Sequence, residues 1–213
     1  MYFQYGDKEI EYLRSKDKKL AEVIDKVGHI DRTVDTDLFS SVVHHIIGQQ
    51  ISTKAQQTIW LRMNEKYGHV TPEVIDSVDA AELQSLGMTF RKAEYIKDFS
   101  HKVVSGEFSL DAVWHMSDEE AVEVLSSLKG VGVWTAEMIL LFCMQRSDIL
   151  SFGDLAIQRG MRMVYHHRKI DKKLFEKYRR RLSPYGSTAS LYFWAVSGGA
   201  VEGMKDYAPQ NKR

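Results

Sequence analysis

Cysteine is almost missing from this chain, with Cys143 standing alone among 213 residues. A lone thiol excludes an intrachain disulfide and any zinc or iron–sulfur site built from four cysteines. It fits a reducing, cytoplasmic setting. Proline is scarce too, at three residues, so helices run without interruption. No apolar run reaches the roughly 18–20 residues that span a bilayer. The N-terminal stretch from Met1 to Leu13 has no basic segment followed by an apolar one, so no secretory signal is expected. His-Glu-x-x-His, Cys-x-x-Cys and Gly-x-x-x-x-Gly-Lys do not occur. The adjacent pairs His44–His45 and His166–His167 point apart on a helix and do not chelate together. Sustained alternation of period two is also lacking, which argues against strands. The excess of either charge is zero, 29 basic against 29 acidic residues, and that disfavours an avid nucleic-acid binder of the simplest kind.

The patterns present are helical nearly throughout, and the fold class expected is all-α. EIEYLRSKDKKLAEVIDKVG sets Ile10, Leu13, Leu20, Val23, Ile24 and Val27 near one stripe and stops at Gly28. Aspartates open DTDLFSSVVHHIIG in capping positions. STKAQQTIWLRMNEKYG starts at Ser52 or Thr53 and ends at Gly68. Thr71 with Pro72 marks another helix start, and Ser117 with Glu120 forms a capping box. A faint internal echo links SLGMTFRKAEYI (85–96) to SLKGVGVWTAEMI (127–139): each reads Ser-Leu, a glycine turn, then a helix. Charge is uneven despite its balance. Ten basic residues from Arg159 to Arg181 face only Asp171 and Glu176, which is either a phosphate-neutralising face or a solvated helix surface.

Three short stretches offer chemistry. In KGVGVWTAEMILLF, Gly130 and Gly132 are free to adopt positive φ and lack a Cβ. A glycine turn at a helix N-terminus aims several backbone N–H groups outward and so can nest a phosphate; it also serves as a plain tight connection between packed helices. In ILSFGDLAIQRGMR, an apolar run delivers Asp154 to a helix start. There it is a good N-cap, or a poorly solvated carboxylate able to stabilise a nearby cation. In IIGQQIS, two glutamines and Ile51 sit at a helix junction. Among the aromatics, Trp194 is expected to keep a partly open face.

Together, in this order, the stretches resemble one family. LKGVGVWTAEM looks like the hairpin of the helix-hairpin-helix DNA glycosylases, and FGDLAIQRG resembles the segment that holds their catalytic aspartate. IIGQQIS and LGMTFRKAEYIKDFS are similar to the 3-methyladenine DNA glycosylase II branch, in its compact form without an N-terminal β-domain. The likeness runs from about Leu38 to Gly199. It implies two helical lobes flanking a DNA-binding cleft: 1–34 as an N-terminal helix packing with the C-terminal lobe, 35–144 as the central lobe with the hairpin, and 145–213 as the lobe with the catalytic aspartate.

By the same resemblance Asp154 is the catalytic residue, and Trp134, Met138 and Trp194 line the base pocket. Gln50 or Ile51 is the wedge that fills the duplex, and Gly130, Gly132 and Thr135 hold a DNA phosphate. No catalytic metal and no cofactor are required; a monovalent cation, Na or K, is expected to bridge the hairpin contact. Some relatives have a tyrosine at the position of Met138. Bifunctional relatives have at the position of Trp134 a lysine that forms a Schiff base, so this chain is expected to be monofunctional. The expected activity is removal of 3-methyladenine and 7-methylguanine from double-stranded DNA by base flipping, leaving an abasic site, by a monomer in the cytoplasm and away from membranes. The alternatives are a glycosylase for a deaminated, mismatched or oxidised base, a DNA-binding module without catalysis, and a helical interaction protein.

Overall fold

The apolar stripe near the N-terminus does not form one helix. In the computed structural model, which describes residues 1–209, it is split into α1 (Asp7–Lys16) and α2 (Lys18–Val27). Asp17 is the break. Its backbone is extended, its carboxylate accepts the Leu20 N–H at 3.0 Å, and it is only 3% exposed. A buried carboxylate needs a partner, and Arg181 supplies one at 2.8 Å. The periodicity alone predicts continuity; the cap and a partner far along the chain override it.

Eleven more helices follow, and no strand occurs among the described residues apart from a lone Tyr2–Thr33 bridge. They are α3 (Leu38–Gly48), α4 (Thr53–Tyr67), α5 (Pro72–Asp76), α6 (Ala80–Ser85), α7 (Phe90–Val104), α8 (Leu110–His115), α9 (Asp118–Ser126), α10 (Val133–Phe142), α11 (Leu155–Tyr165), α12 (Lys172–Leu182) and α13 (Gly186–Ser197). None of them is long and apolar enough to cross a membrane. The chain divides into two compact units, Met1–Val34 with the segment from Gln145 onward, and Asp35–Met144.

In the first unit, α1, α2, α11, α12 and α13 enclose a core that includes Leu13, Leu20, Ile157, Met161, Phe175 and Phe193. The Tyr12 hydroxyl donates to the Ser183 carbonyl at 2.5 Å, and the Tyr192 hydroxyl to the Gly28 carbonyl at 3.1 Å. These two bonds tie the N-terminal helices to the C-terminal segment. α11 and α13 approach each other closely. There a Cβ on Gly160 would lie 2.1 Å from the Phe193 carbonyl oxygen, so only glycine permits the crossing. The basic run contributes to this scaffold: Arg162 forks onto Asp206 through two 2.7 Å hydrogen bonds, and Arg181 serves Asp17. Lys172, Lys173, Lys177 and Arg180 remain exposed.

The second unit is arranged around α3, which packs against α4, α7 and α10 and buries eight of its eleven residues. Six of its eight helices start where a side-chain oxygen accepts an early N–H group, at Asp37, Ser52, Thr71, Thr89, Ser109 and Ser117. The two echoing segments both become helix–turn–helix units. Each pivots on a left-handed glycine, Gly87 (φ +112°) between α6 and α7, and Gly130 (φ +82°) between α9 and α10. Cys143 closes α10 and is buried, which pushes its thiol up to about 12 and makes it inert.

Candidate active site and nucleic-acid interface

Asp154 is delivered to the start of α11 by the buried residues Ile149, Leu150 and Ser151. Its Oδ1 accepts the N–H groups of Ala156 at 2.9 Å and Ile157 at 2.8 Å. The Gln158 amide closes the preceding turn by donating to the Phe152 carbonyl at 2.6 Å. The carboxylate is therefore fixed in orientation. It is 6% exposed, yet Gly153, Ala156 and Leu155, the last at 78%, lie open beside it. A carboxylate so placed is an N-cap, and it is also a shielded anion at the edge of the fold, where it interacts strongly with any cation brought next to it.

Trp194 belongs to the same unit. It is half-buried on α13, packed against the core, and follows the Phe193 that touches Gly160. The crossing of α11 and α13 thus sets the positions of both Asp154 and Trp194.

The other expected site residues lie in the second unit. The hairpin is closed by the Val131 N–H on the Leu128 carbonyl at 3.0 Å. Gly130 and Gly132 are both free to adopt positive φ, and only Gly130 uses that freedom. Gly130 is left-handed, and its missing Cβ leaves room for the Tyr95 ring, whose Cδ2 would be 2.3 Å away. Gly132 has an ordinary extended backbone (φ −94°) and nothing within 4 Å of a Cβ position. Its value is openness: it caps α10 without any side-chain hydrogen bond, beside Val133 at 58% and Trp134 at 45% exposure. The first turn of α10 therefore meets solvent with its positive end.

Thr135 and Met138 differ from expectation. Thr135 is 6% exposed, so its hydroxyl is withdrawn from the exposed face formed by Gly132, Val133 and Trp134. Met138 is 3% exposed and is packed inside the protein, without an open face for a base to stack on. Both follow from a helix start whose positions alternate quickly between outside and inside.

The junction of α3 and α4 holds the remaining pair. Gln50 is exposed with φ +57°, a left-handed backbone that a non-glycine residue adopts at a cost. Ile51 is 37% exposed. Three neighbours define this region: Gln49, the first of the two glutamines in IIGQQIS, and Lys92 and Tyr95, which the sequence pattern does not single out. The Gln49 amide donates to the Gly130 carbonyl at 2.5 Å. The Lys92 ammonium donates to the carbonyls of Ile47 at 2.9 Å and Gln49 at 2.6 Å. Tyr95 supplies the ring under Gly130. Local pattern holds no signal for a contact spanning 81 residues; the sequence shows only that Gln49 lies in IIGQQIS and Lys92 and Tyr95 in LGMTFRKAEYIKDFS.

Residues 43–184 match the family described as HhH-GPD superfamily base excision DNA repair protein. The chain is 29% identical over 164 residues to DNA-3-methyladenine glycosylase 1 of Schizosaccharomyces pombe, covering 75% of this chain and 72% of that one. It superposes on a crystal structure of DNA-3-methyladenine glycosidase from Bacillus halodurans with a TM-score of 0.83 and 31% identity, over 93% of both chains. The S. pombe 3-methyladenine DNA glycosylase in complex with abasic DNA gives a TM-score of 0.78 at 25% identity, over 91% of this chain and 98% of the other.

Proposed function

The chain belongs to the HhH-GPD superfamily of base excision DNA repair proteins, and we propose that it is a monofunctional DNA glycosylase that removes alkylated purines, 3-methyladenine and 7-methylguanine, from double-stranded DNA. The observation that carries this reading is the likeness to a DNA-3-methyladenine glycosidase over 93% of both chains.

The chemistry suits the residues. A base inside a duplex is out of reach, so it must swing out at a cost of a few kcal/mol. Backbone N–H groups at Gly132 and the start of α10 hold a phosphate next to the lesion, aided by the helix dipole. Gln50, at the strained tip of its loop, is the wedge that enters the gap, with Ile51 beside it. A methylated purine carries positive charge, and the face of Trp194, in the same unit as Asp154, attracts it by roughly 0.5–2 kcal/mol. The bond from C1′ to the base nitrogen then breaks, and its electron pair leaves with the base, which departs neutral and needs no dedicated acid. The sugar is left as an oxocarbenium-like cation. Asp154 stabilises that cation and accepts a proton from the water whose oxygen bonds to C1′. The aromatic Trp134 offers no amine to form an imine, so the product is an abasic site.

A monovalent cation at the hairpin would be held by oxygens such as main-chain carbonyls; no three His, Cys, Asp or Glu side chains cluster among the described residues. The Gly130 carbonyl fits such a role with the lone pair that Gln49 leaves over. No step above needs the ion. The protein acts as a cytoplasmic monomer, one copy supplying every residue named.

The test is to incubate the protein with methylated duplex DNA and identify the free bases by chromatography. Release of 3-methyladenine and 7-methylguanine is expected, with strands that stay intact until alkali is added. Release only of uracil, hypoxanthine or oxidised guanine from matched duplexes would overturn the alkylpurine assignment.

A further inference from the structure

One face of α7 supports two loops that touch DNA in the function proposed above. Lys92, Tyr95 and Asp98 follow one another at three-residue spacing, which stacks them along one side of a helix. Lys92 holds the end of α3 through the Ile47 and Gln49 carbonyls. These are groups that a helix leaves without partners at its C-terminus, where a cation is favoured. Tyr95 lies under Gly130. Asp98 receives Lys129, the residue before Gly130, at 2.6 Å. Across this platform the Gln49 amide reaches the Gly130 carbonyl directly.

The consequence is geometric. Gln49 immediately precedes the left-handed Gln50, and Gly130 is two residues from the open cap of α10. Two short polar links therefore fix the distance between the loop tip and the hairpin. Without them, the hairpin keeps its own hold on α7 through Tyr95 and Asp98, and the loop tip loses its tie to it.

Resting on the glycosylase reading, we infer that Gln49 and Lys92 are positioning residues that brace the wedge loop to the phosphate-gripping hairpin. Once the hairpin holds a phosphate, the wedge stands at a fixed offset along the duplex, opposite the base to be expelled. The brace acts on extrusion of the base. It touches neither the breaking bond nor the base pocket, so its loss matters only where extrusion is costly.

That property separates it from a general structural role. Single-turnover release of 7-methylguanine is measured on two duplexes, one with cytosine opposite the lesion and one with a stable abasic analogue there, which leaves the base unpaired. Gln49→Ala and Gln49→Glu are expected to slow release about five- to tenfold on the paired duplex, the worth of one such hydrogen bond. On the unpaired duplex they should stay within about twofold, because little extrusion cost remains. Lys92→Met, which withdraws the two bonds to α3, should show the same split, and it decides the matter if a Gln49 variant melts early. Equal slowing on both duplexes, or no slowing on either, would overturn the brace. A wild-type protein that releases no alkylpurine from either duplex would instead overturn the function on which the brace rests, before any variant is compared.

Discussion

Gly160 offers the most stringent test of how the first unit is built. A methyl group there would lie 2.1 Å from the Phe193 carbonyl oxygen, 2.8 Å from its carbon and 2.9 Å from Cα. All three atoms are main chain, so no rotamer change relieves the clash, and α11 and α13 must part by about 1 Å to restore ordinary contact. Overpacking of this kind costs about 1–3 kcal/mol. For a protein of this size that lowers the melting temperature by about 3–10 °C. The functional effect should be larger. Asp154 caps α11, and Trp194 follows Phe193 on α13, so the displacement falls on both of the first unit's expected site residues. A misplacement near 1 Å is enough to cost about a hundredfold in rate. Gly160→Ala is to be measured by thermal unfolding and by single-turnover release of 7-methylguanine at a temperature where the variant is folded. Gly6→Ala, with nothing within 4 Å of its Cβ, is the control. A Gly160→Ala protein with unchanged melting temperature and a rate within twofold of wild type would refute this reasoning.

The two hairpin glycines should part company. Gly130→Ala meets both a left-handed backbone and the Tyr95 ring, and should lower stability and DNA binding together; Gly132→Ala should melt like wild type yet bind abasic-site DNA more weakly. Equal behaviour of the two in either assay would contradict the phosphate-nest geometry. With Trp134 in place of an amine, borohydride added during turnover should trap no protein–DNA adduct at a rate matching base release; trapping at that rate would establish an imine mechanism. Acid should weaken the fold from about pH 6.5 downward. Burial lowers the imidazoles of His44 and His45, so below 6.5 the unfolded chain binds protons that the folded one refuses. The thermal midpoint should fall between pH 7.5 and 5.5, and less steeply in His45→Gln; a rise on acidification would oppose this.

What the sequence reveals is mostly what is local. Asp37, Ser52, Thr71, Ser117 and Asp154 all cap helices where capping chemistry puts them, because a cap is decided within four residues. The break at Asp17 is not local. Its carboxylate is stabilised inside the protein by Arg181, 164 residues away, and no periodicity encodes that pairing. The hairpin was legible as a glycine turn, but not the division of labour within it, because the Tyr95 ring that demands Gly130 comes from another helix. Thr135 and Met138 were named from family resemblance, which transfers positions and not burial. Gln49 lies in the same stretch as Gln50 and Ile51, and only its contact with Gly130, 81 residues away, distinguishes it.

The most direct test of the central claim uses Asp154→Asn. Asparagine caps a helix about as well as aspartate, so the two hydrogen bonds to Ala156 and Ile157 survive and folding should be nearly unchanged. Only the charge is lost, and with it the stabilisation of the sugar cation, worth on the order of a hundred- to a thousandfold in rate. Single-turnover release of 7-methylguanine should therefore fall by that factor, while binding to abasic-site DNA stays within a few-fold. An Asn variant that releases the base at a near-normal rate would contradict the assignment of Asp154 as the catalytic carboxylate.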